Sequence, residues 1–134
     1  MAKYSFIRII IVDDEQTCRD IILSHIKSSG LFEEGNVFVF DDPFDVLEFL
    51  ERDSADIIIS DYNMPQMHGD VLIEAAKELR PNIRAILFSA SIIPDFPEIK
   101  SDILNVSDLI IEKIPEEEIL LEALSNFASL IGHV

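Results

Sequence analysis

The chain has 134 residues, of which 49% are hydrophobic, enough to bury the core of one domain and too apolar for a disordered chain. A formal charge of -16 excludes nucleic acid and anionic membrane surfaces as direct partners. The single cysteine, Cys18, excludes an intramolecular disulfide framework and fits a reducing compartment. It falls in a helical apolar pattern with Ile22 and Ile26, so it reads as a packing residue rather than a thiol nucleophile. Met1 to Ile7 lacks the form of a signal peptide, and no apolar run approaches the ~18 residues of a membrane span. The expectation is a soluble cytoplasmic protein, with residues 1–134 forming one domain.

Five short apolar runs alternate with stretches of helical periodicity. The first predicted strand is Phe6 to Val12 (FIRIIIV), followed by a helix over EQTCRDIILSHIKSSG, with Gly30 as its stop. The second strand is Asn36 to Phe40. The next helix, within DDPFDVLEFLERD, has an aspartate to cap it and a proline in its first turn. The third strand is Ile57 to Asp61. A loop then leads into GDVLIEAAKELR, a helix that stops before Pro81. The fourth strand is Ile83 to Ser89.

Pro94 and Pro97 cannot both lie inside a good helix, so any helix before strand five should start near Pro97 and be short. Asp108 to Glu112 is the fifth strand. A last helix should begin about Pro115 and bury Ile119, Leu120, Ala123, Leu124, Phe127 and Ile131. Alternating strands and helices, with strands apolar on both faces, imply an α/β fold. The expected form is an open, doubly wound, five-stranded parallel sheet with helices on both faces. Ligands of such a sheet gather at the carboxyl ends of its strands, where the strand order reverses.

Those ends carry a recognisable chemistry. Strand one runs into Asp13, Asp14 and Glu15, strand three ends in Asp61, strand four in Ser89, and Lys113 follows strand five. Taken singly, each has an ordinary explanation: Asp13 as a helix cap, Asp61 as a turn residue, Ser89 and Lys113 as surface groups. Together they place the carboxylates of Asp13, Asp14 and Asp61, a hydroxyl and an ammonium on one edge. Carboxylates ~4 Å apart repel by several kcal/mol at the effective dielectric of a protein surface. A divalent cation relieves that cost, and hard oxygen ligands completed by water and a phosphate oxygen suit Mg²⁺.

The stretch DYNMPQMHG, with its Asp, Met-Pro and Gly, resembles the phosphorylation site of the receiver domains of two-component response regulators. The resemblance extends from Phe6 to Ile131 and is nearest to stand-alone, chemotaxis-type receivers, with a flavodoxin-like sheet of strand order 2-1-3-4-5 and no effector domain. It implies that Asp61 accepts a phosphoryl group from a sensor histidine kinase or a histidine phosphotransfer protein. It also implies that Mg²⁺ is held by Asp14 directly, by Asp13 largely through water, by Asp61 and by the backbone carbonyl of Asn63. Ser89 would hydrogen-bond the phosphoryl group and Lys113 would pair with it, and the signal would pass to a downstream protein target. Such a protein catalyses only its own phosphorylation and dephosphorylation.

Three departures from the family pattern stand out. Ile114 separates Lys113 from Pro115 where the family has Lys-Pro; Ile110 replaces an aromatic residue; and Ala90 to Asn105 is proline-rich where relatives have a regular helix. Rival readings are a flavodoxin-like cofactor binder, a Mg²⁺-dependent phosphohydrolase of the haloacid-dehalogenase type, and a non-catalytic receiver-like interaction module. The acidic DDEQT after strand one is wrong for a phosphate-cradling loop. The phosphohydrolase pattern wants a paired Asp two residues after a first-strand nucleophile, and Glu15 stands there instead. A degenerate module generally lacks a pocket residue, and all are present here.

Overall fold

The computed structural model describes residues 2–89, 107–112 and 116–131. The strands are β1 (Ile9–Val12), β2 (Val37–Phe40), β3 (Ile57–Asp61), β4 (Arg84–Ser89) and β5 (Leu109–Glu112). The helices among the described residues are α1 (Gln16–Ser29), α2 (Pro43–Arg52), α3 (Gly69–Leu79) and α4 (Glu117–Ile131). All strand pairs are parallel, and the order is β2-β1-β3-β4-β5. The expected doubly wound topology is therefore present. The segment before β5, the Lys113-Ile114-Pro115 corner and the start of the last helix lie outside the described residues.

Side-chain alternation divides the core in two. Ile9, Ile11, Ile57, Ile59, Ile86, Phe88 and Ile111 point to the face covered by α1 and α4, where Ile22, Ile26, Leu120, Leu124 and Ala128 meet them. Ile10, Val12, Ile58, Ala85 and Leu87 point to the opposite face, against Val46 and Leu50 of α2 and Leu72, Ile73 and Ala76 of α3. Because both faces are covered, β1, β3 and nearly all of β4 are buried. The edge strands are not. β2 has no fully buried residue and β5 has only Ile111, so burial on both faces holds for the three inner strands alone.

Local chemistry sets the helix ends. Asp42 Oδ1 accepts from the Phe44 N–H at 2.9 Å, with Pro43 at the first helical position of α2. Gly30 terminates α1 at φ 66°, a left-handed conformation that costs glycine nothing. Cys18 is buried on the inner side of α1, in line with a packing role.

Several boundaries differ from expectation because turns consume the flanking residues. The N–H groups of Ser5 and Ile7 donate back to Ala2 and Tyr4, so β1 begins at Ile9 rather than Phe6. Asn36 closes a 3-10 turn onto Glu33, and Ile83 a turn onto Arg80, so neither lies in a strand. Asp108 precedes β5 and works as a clamp. Its N–H donates to the Ala85 carbonyl, while its Oδ2 accepts from the Ala85 N–H at 2.7 Å and from Lys77 Nζ at 2.8 Å. In α4, Ile119 is 48% exposed rather than buried, and Phe127 and Ile131 are only half-buried. Helical spacing identified the apolar stripe but not where the sheet beneath it ends.

Candidate functional site

Parallel register builds the site. Val12 pairs with Ser60 across β1 and β3, so one further step sets Asp13 beside Asp61. Asp61 pairs with Phe88, and Ser89 stands one step beyond on β4. This edge flanks the reversal of strand order between β1 and β3, the position where open α/β sheets bind ligands. Carboxylate oxygens of Asp13, Asp14 and Asp61 lie within 4.8 Å of one another. Asp13 and Asp61 are buried, Ser89 is buried at the end of β4, and Asp14 is exposed. Asn63 is exposed on the turn two residues after Asp61. Lys113 lies outside the described residues.

The backbone around the cluster is tightly tied. Asp13 N–H donates to the Phe40 carbonyl at 3.2 Å, and Asp13 Oδ1 accepts from the Glu15 N–H at 2.9 Å. Asp13 therefore shapes the turn into α1, although the residue that flanks the helix is Glu15. The Tyr62 N–H donates to the Phe88 carbonyl at 2.7 Å, extending the β3–β4 ladder one residue past Asp61. Tyr62 itself is buried beside His68, with ring centroids 5.0 Å apart. Burial, helped by the charge of Asp70, holds its hydroxyl pKa above the ordinary tyrosine value.

Two contributors carry no signal in the one-dimensional pattern. Arg19 Nη1 donates to the Asp13 carbonyl at 2.7 Å and so steadies the acidic turn from α1. Gly69 opens α3 directly against the end of β3. Its N–H donates to the Tyr62 carbonyl at 2.8 Å, and a Cβ there would collide with the Asp61 carbonyl oxygen. The glycine was visible in DYNMPQMHG, but the contact that requires it was not.

The donor set is all hard oxygen, from three carboxylates, and fits a divalent ion such as Mg²⁺ better than a soft metal. Such an ion could be held by Asp13, Asp14 and Asp61. Among the described residues no helix is long and apolar enough to cross a membrane.

Comparison with known proteins agrees with the geometry. The chain is 36% identical over 76 residues to the chemotaxis protein CheY-3 of Vibrio cholerae, covering 54% of this chain and 56% of that protein. It is 35% identical over 74 residues to the cyclic di-GMP phosphodiesterase response regulator RpfG of Xanthomonas campestris, covering 55% of this chain but only 18% of that protein. The chain thus spans less than two thirds of the curated relatives it matches. A CheY-like receiver domain protein from Methanospirillum hungatei superposes with a TM-score of 0.79 at 25% identity, covering 92% of this chain and 94% of the other. An uncharacterized protein from Neptuniibacter caesariensis gives 0.81 at 26% identity, over 95% and 90%. The family model of the response regulator receiver domain matches residues 9–124, from the first residue of β1 into α4. With the sheet order and the acidic edge in place, that match makes the chain a member of the response regulator receiver domain family.

Proposed function

We propose that the chain is a phosphoacceptor whose reactive group is the Asp61 carboxylate, loaded by a histidine kinase or a histidine phosphotransfer protein with Mg²⁺ bound. The observation that carries this reading is the convergence of Asp13, Asp14 and Asp61 at the strand-order reversal. In the forward step an Asp61 oxygen attacks phosphorus and forms an acyl phosphate. The bond from phosphorus to the donor imidazole breaks, and its electron pair leaves with the ring. When bound, the metal supplies positive charge to the transferring oxygens. The place of Asp61 at the end of a fully buried strand fixes the line of attack. Ser89, buried at the neighbouring strand end, donates its hydroxyl to a phosphoryl oxygen, and Lys113 pairs with the added charge.

Incubation with Mg²⁺ and acetyl phosphate should add one phosphate to the intact mass. It should be cleavable by hydroxylamine and map to the peptide containing Asp61. Incorporation that proceeds equally well in excess chelator, or maps elsewhere, would contradict the assignment.

The two metal-binding aspartates should differ in weight. Asp13 is buried, with one oxygen already held by the Glu15 N–H, whereas Asp14 is exposed to a hydrated ion. Asp14→Ala should weaken Mg²⁺ binding by about tenfold or more, and Asp13→Ala by less, as for an oxygen acting through water. Calorimetric titration provides the comparison, and equal losses would refute the division of roles.

The added charge of about two units, with its acceptor oxygens, is the signal a downstream protein reads. Ile110 is half-buried on the α3 side of β5 where relatives have an aromatic ring. A branched side chain with few rotamers can follow Ser89 only slightly.

A further inference from the structure

Helix α1 presents Arg19 to the acidic edge of the sheet, where a cation would ordinarily pair with a carboxylate. The chain carries a formal charge of -16, and Asp13, Asp14 and Glu15 precede Arg19 by four to six residues. Glu15 stands four residues before it, the order and spacing that favour an ion pair along a helix. No such pair forms. Among the described residues the arginines in ion pairs are Arg8, Arg52 and Arg84. Glu15 Oε2 instead accepts from Cys18 Sγ at 3.7 Å, and half-buried Arg19 donates from Nη1 to the neutral carbonyl of Asp13 at 2.7 Å.

That carbonyl belongs to the planar peptide unit joining Asp13 to Asp14, so holding its oxygen fixes the direction in which Asp14 leaves the strand. The backbone N–H of Arg19 adds a second tie, to the Glu15 carbonyl at 3.2 Å. Asp13 is held independently, through its N–H to Phe40 and through Oδ1 to the Glu15 N–H. The exposed Asp14 depends on the peptide that Arg19 grips. Because the guanidinium binds a carbonyl, it orders the turn without occupying an oxygen that an ion would need. Its charge works in the other direction, since one cation disfavours another nearby. A side chain bonded to the preceding turn for stability alone would have the same geometry. Discrimination between metal ions separates the three roles.

We propose that Arg19 is a positioning residue of the metal site, setting its preference for Mg²⁺ over Ca²⁺ by fixing the Asp13–Asp14 peptide. The proposal rests on the reading of Asp13, Asp14 and Asp61 as metal ligands. Mg²⁺ demands near-octahedral ligands at about 2.0–2.1 Å, whereas Ca²⁺ accepts roughly six to eight oxygens at about 2.3–2.6 Å in flexible geometry. Loosening the turn therefore penalises the smaller ion more. The isotopically labelled chain would be titrated with magnesium chloride and with calcium chloride at constant ionic strength, and affinities read from amide shifts. Arg19→Met keeps a long unbranched stem without a donor, and Arg19→Leu repeats the test should methionine impair folding. Mg²⁺ binding should weaken about tenfold, a usual effect of removing a group that orients a metal ligand. Ca²⁺ binding should weaken by no more than about twofold, because its shell adjusts. Arg19→Lys, whose ammonium can still donate to the carbonyl, should restore the ratio of the two affinities to within about threefold of the parent's. Equal tightening of both ions would mean that only charge acts. A lowered Tm with an unchanged ratio would mean a purely structural role. Either result overturns the proposal, as does a lysine that fails to restore the ratio. A parent that binds neither ion would remove the metal site itself, so the two failures are told apart.

Discussion

Replacing Asp61 by asparagine should reduce phosphate incorporation from acetyl phosphate to background while leaving the fold intact. An amide oxygen is a poor nucleophile, and strand alternation turns the neighbouring Ser60 to the opposite face of β3, where its hydroxyl donates to the Asp61 carbonyl at 2.9 Å. The same change should raise stability in chelator. Oxygens of three carboxylates lie within 4.8 Å of one another, and each like-charged pair at that range costs up to a few kcal/mol at an effective dielectric near 20. The neutral amide removes two of those three pairs. Thermal unfolding should therefore show a higher midpoint for Asp61→Asn than for the parent without Mg²⁺, and a smaller gain when Mg²⁺ is added. A residual phosphate in the variant, or a midpoint below the parent's, would mean that Asp61 is held for its packing rather than its charge.

Gly69→Ala should be the most damaging change of a single methyl group. The added Cβ meets the Asp61 carbonyl oxygen and lies 2.7 Å from Leu87 Cδ1. The leucine could rotate, but the carbonyl is fixed in the β3–β4 ladder. Overpacking of this kind costs about 1–3 kcal/mol and sometimes more, outweighing the helix preference for alanine, which is at most ~1 kcal/mol and smaller at a helix's first residue. The expected loss is about 2–4 kcal/mol, a drop of roughly 10 °C in Tm for a domain of this size. Phosphorylation should slow as well, since the strain falls on the residue that carries the nucleophile. Calorimetry and an acetyl phosphate time course measure the two effects. A variant as stable and as reactive as the parent would show that α3 can shift away from β3 without consequence.

Much of this was legible in the sequence because the inner strands are simple. Three buried apolar runs, each ending at a polar residue, declare their faces and their carboxyl ends, and Asp13, Asp14 and Asp61 follow from the alternation. The edge strands and the last helix were harder. Val39 and Ile119 are as apolar as their buried neighbours, and their exposure depends on where the sheet stops. Arg19 and Gly69 were opaque for another reason. Each acts on a backbone carbonyl, Asp13 and Asp61 respectively, and carbonyls carry no sequence identity. The turn that shortens β1 is likewise a backbone event, Ile7 N–H donating to the Tyr4 carbonyl, whereas the one before β4 is spelled by Pro81 and Asn82 between Arg80 and Ile83.

The Asp108 clamp sets the phase of the sheet's outermost member. With Asp108 bonded through both its backbone and its carboxylate to Ala85, β5 cannot slip against β4, and Glu112 stays opposite Ser89. A slip of one residue would exchange the two sides of the strand, turning Ile111 away from α4 and Ile110 toward it. Asp108 and Ser89 stand at opposite ends of the pairing, about 13 Å apart along four residues of strand. In a genetic selection, alleles at 108 would thus score as signalling defects despite their distance from the reacting carboxylate. Their suppressors should gather at Lys77, whose ammonium holds this carboxylate at 2.8 Å.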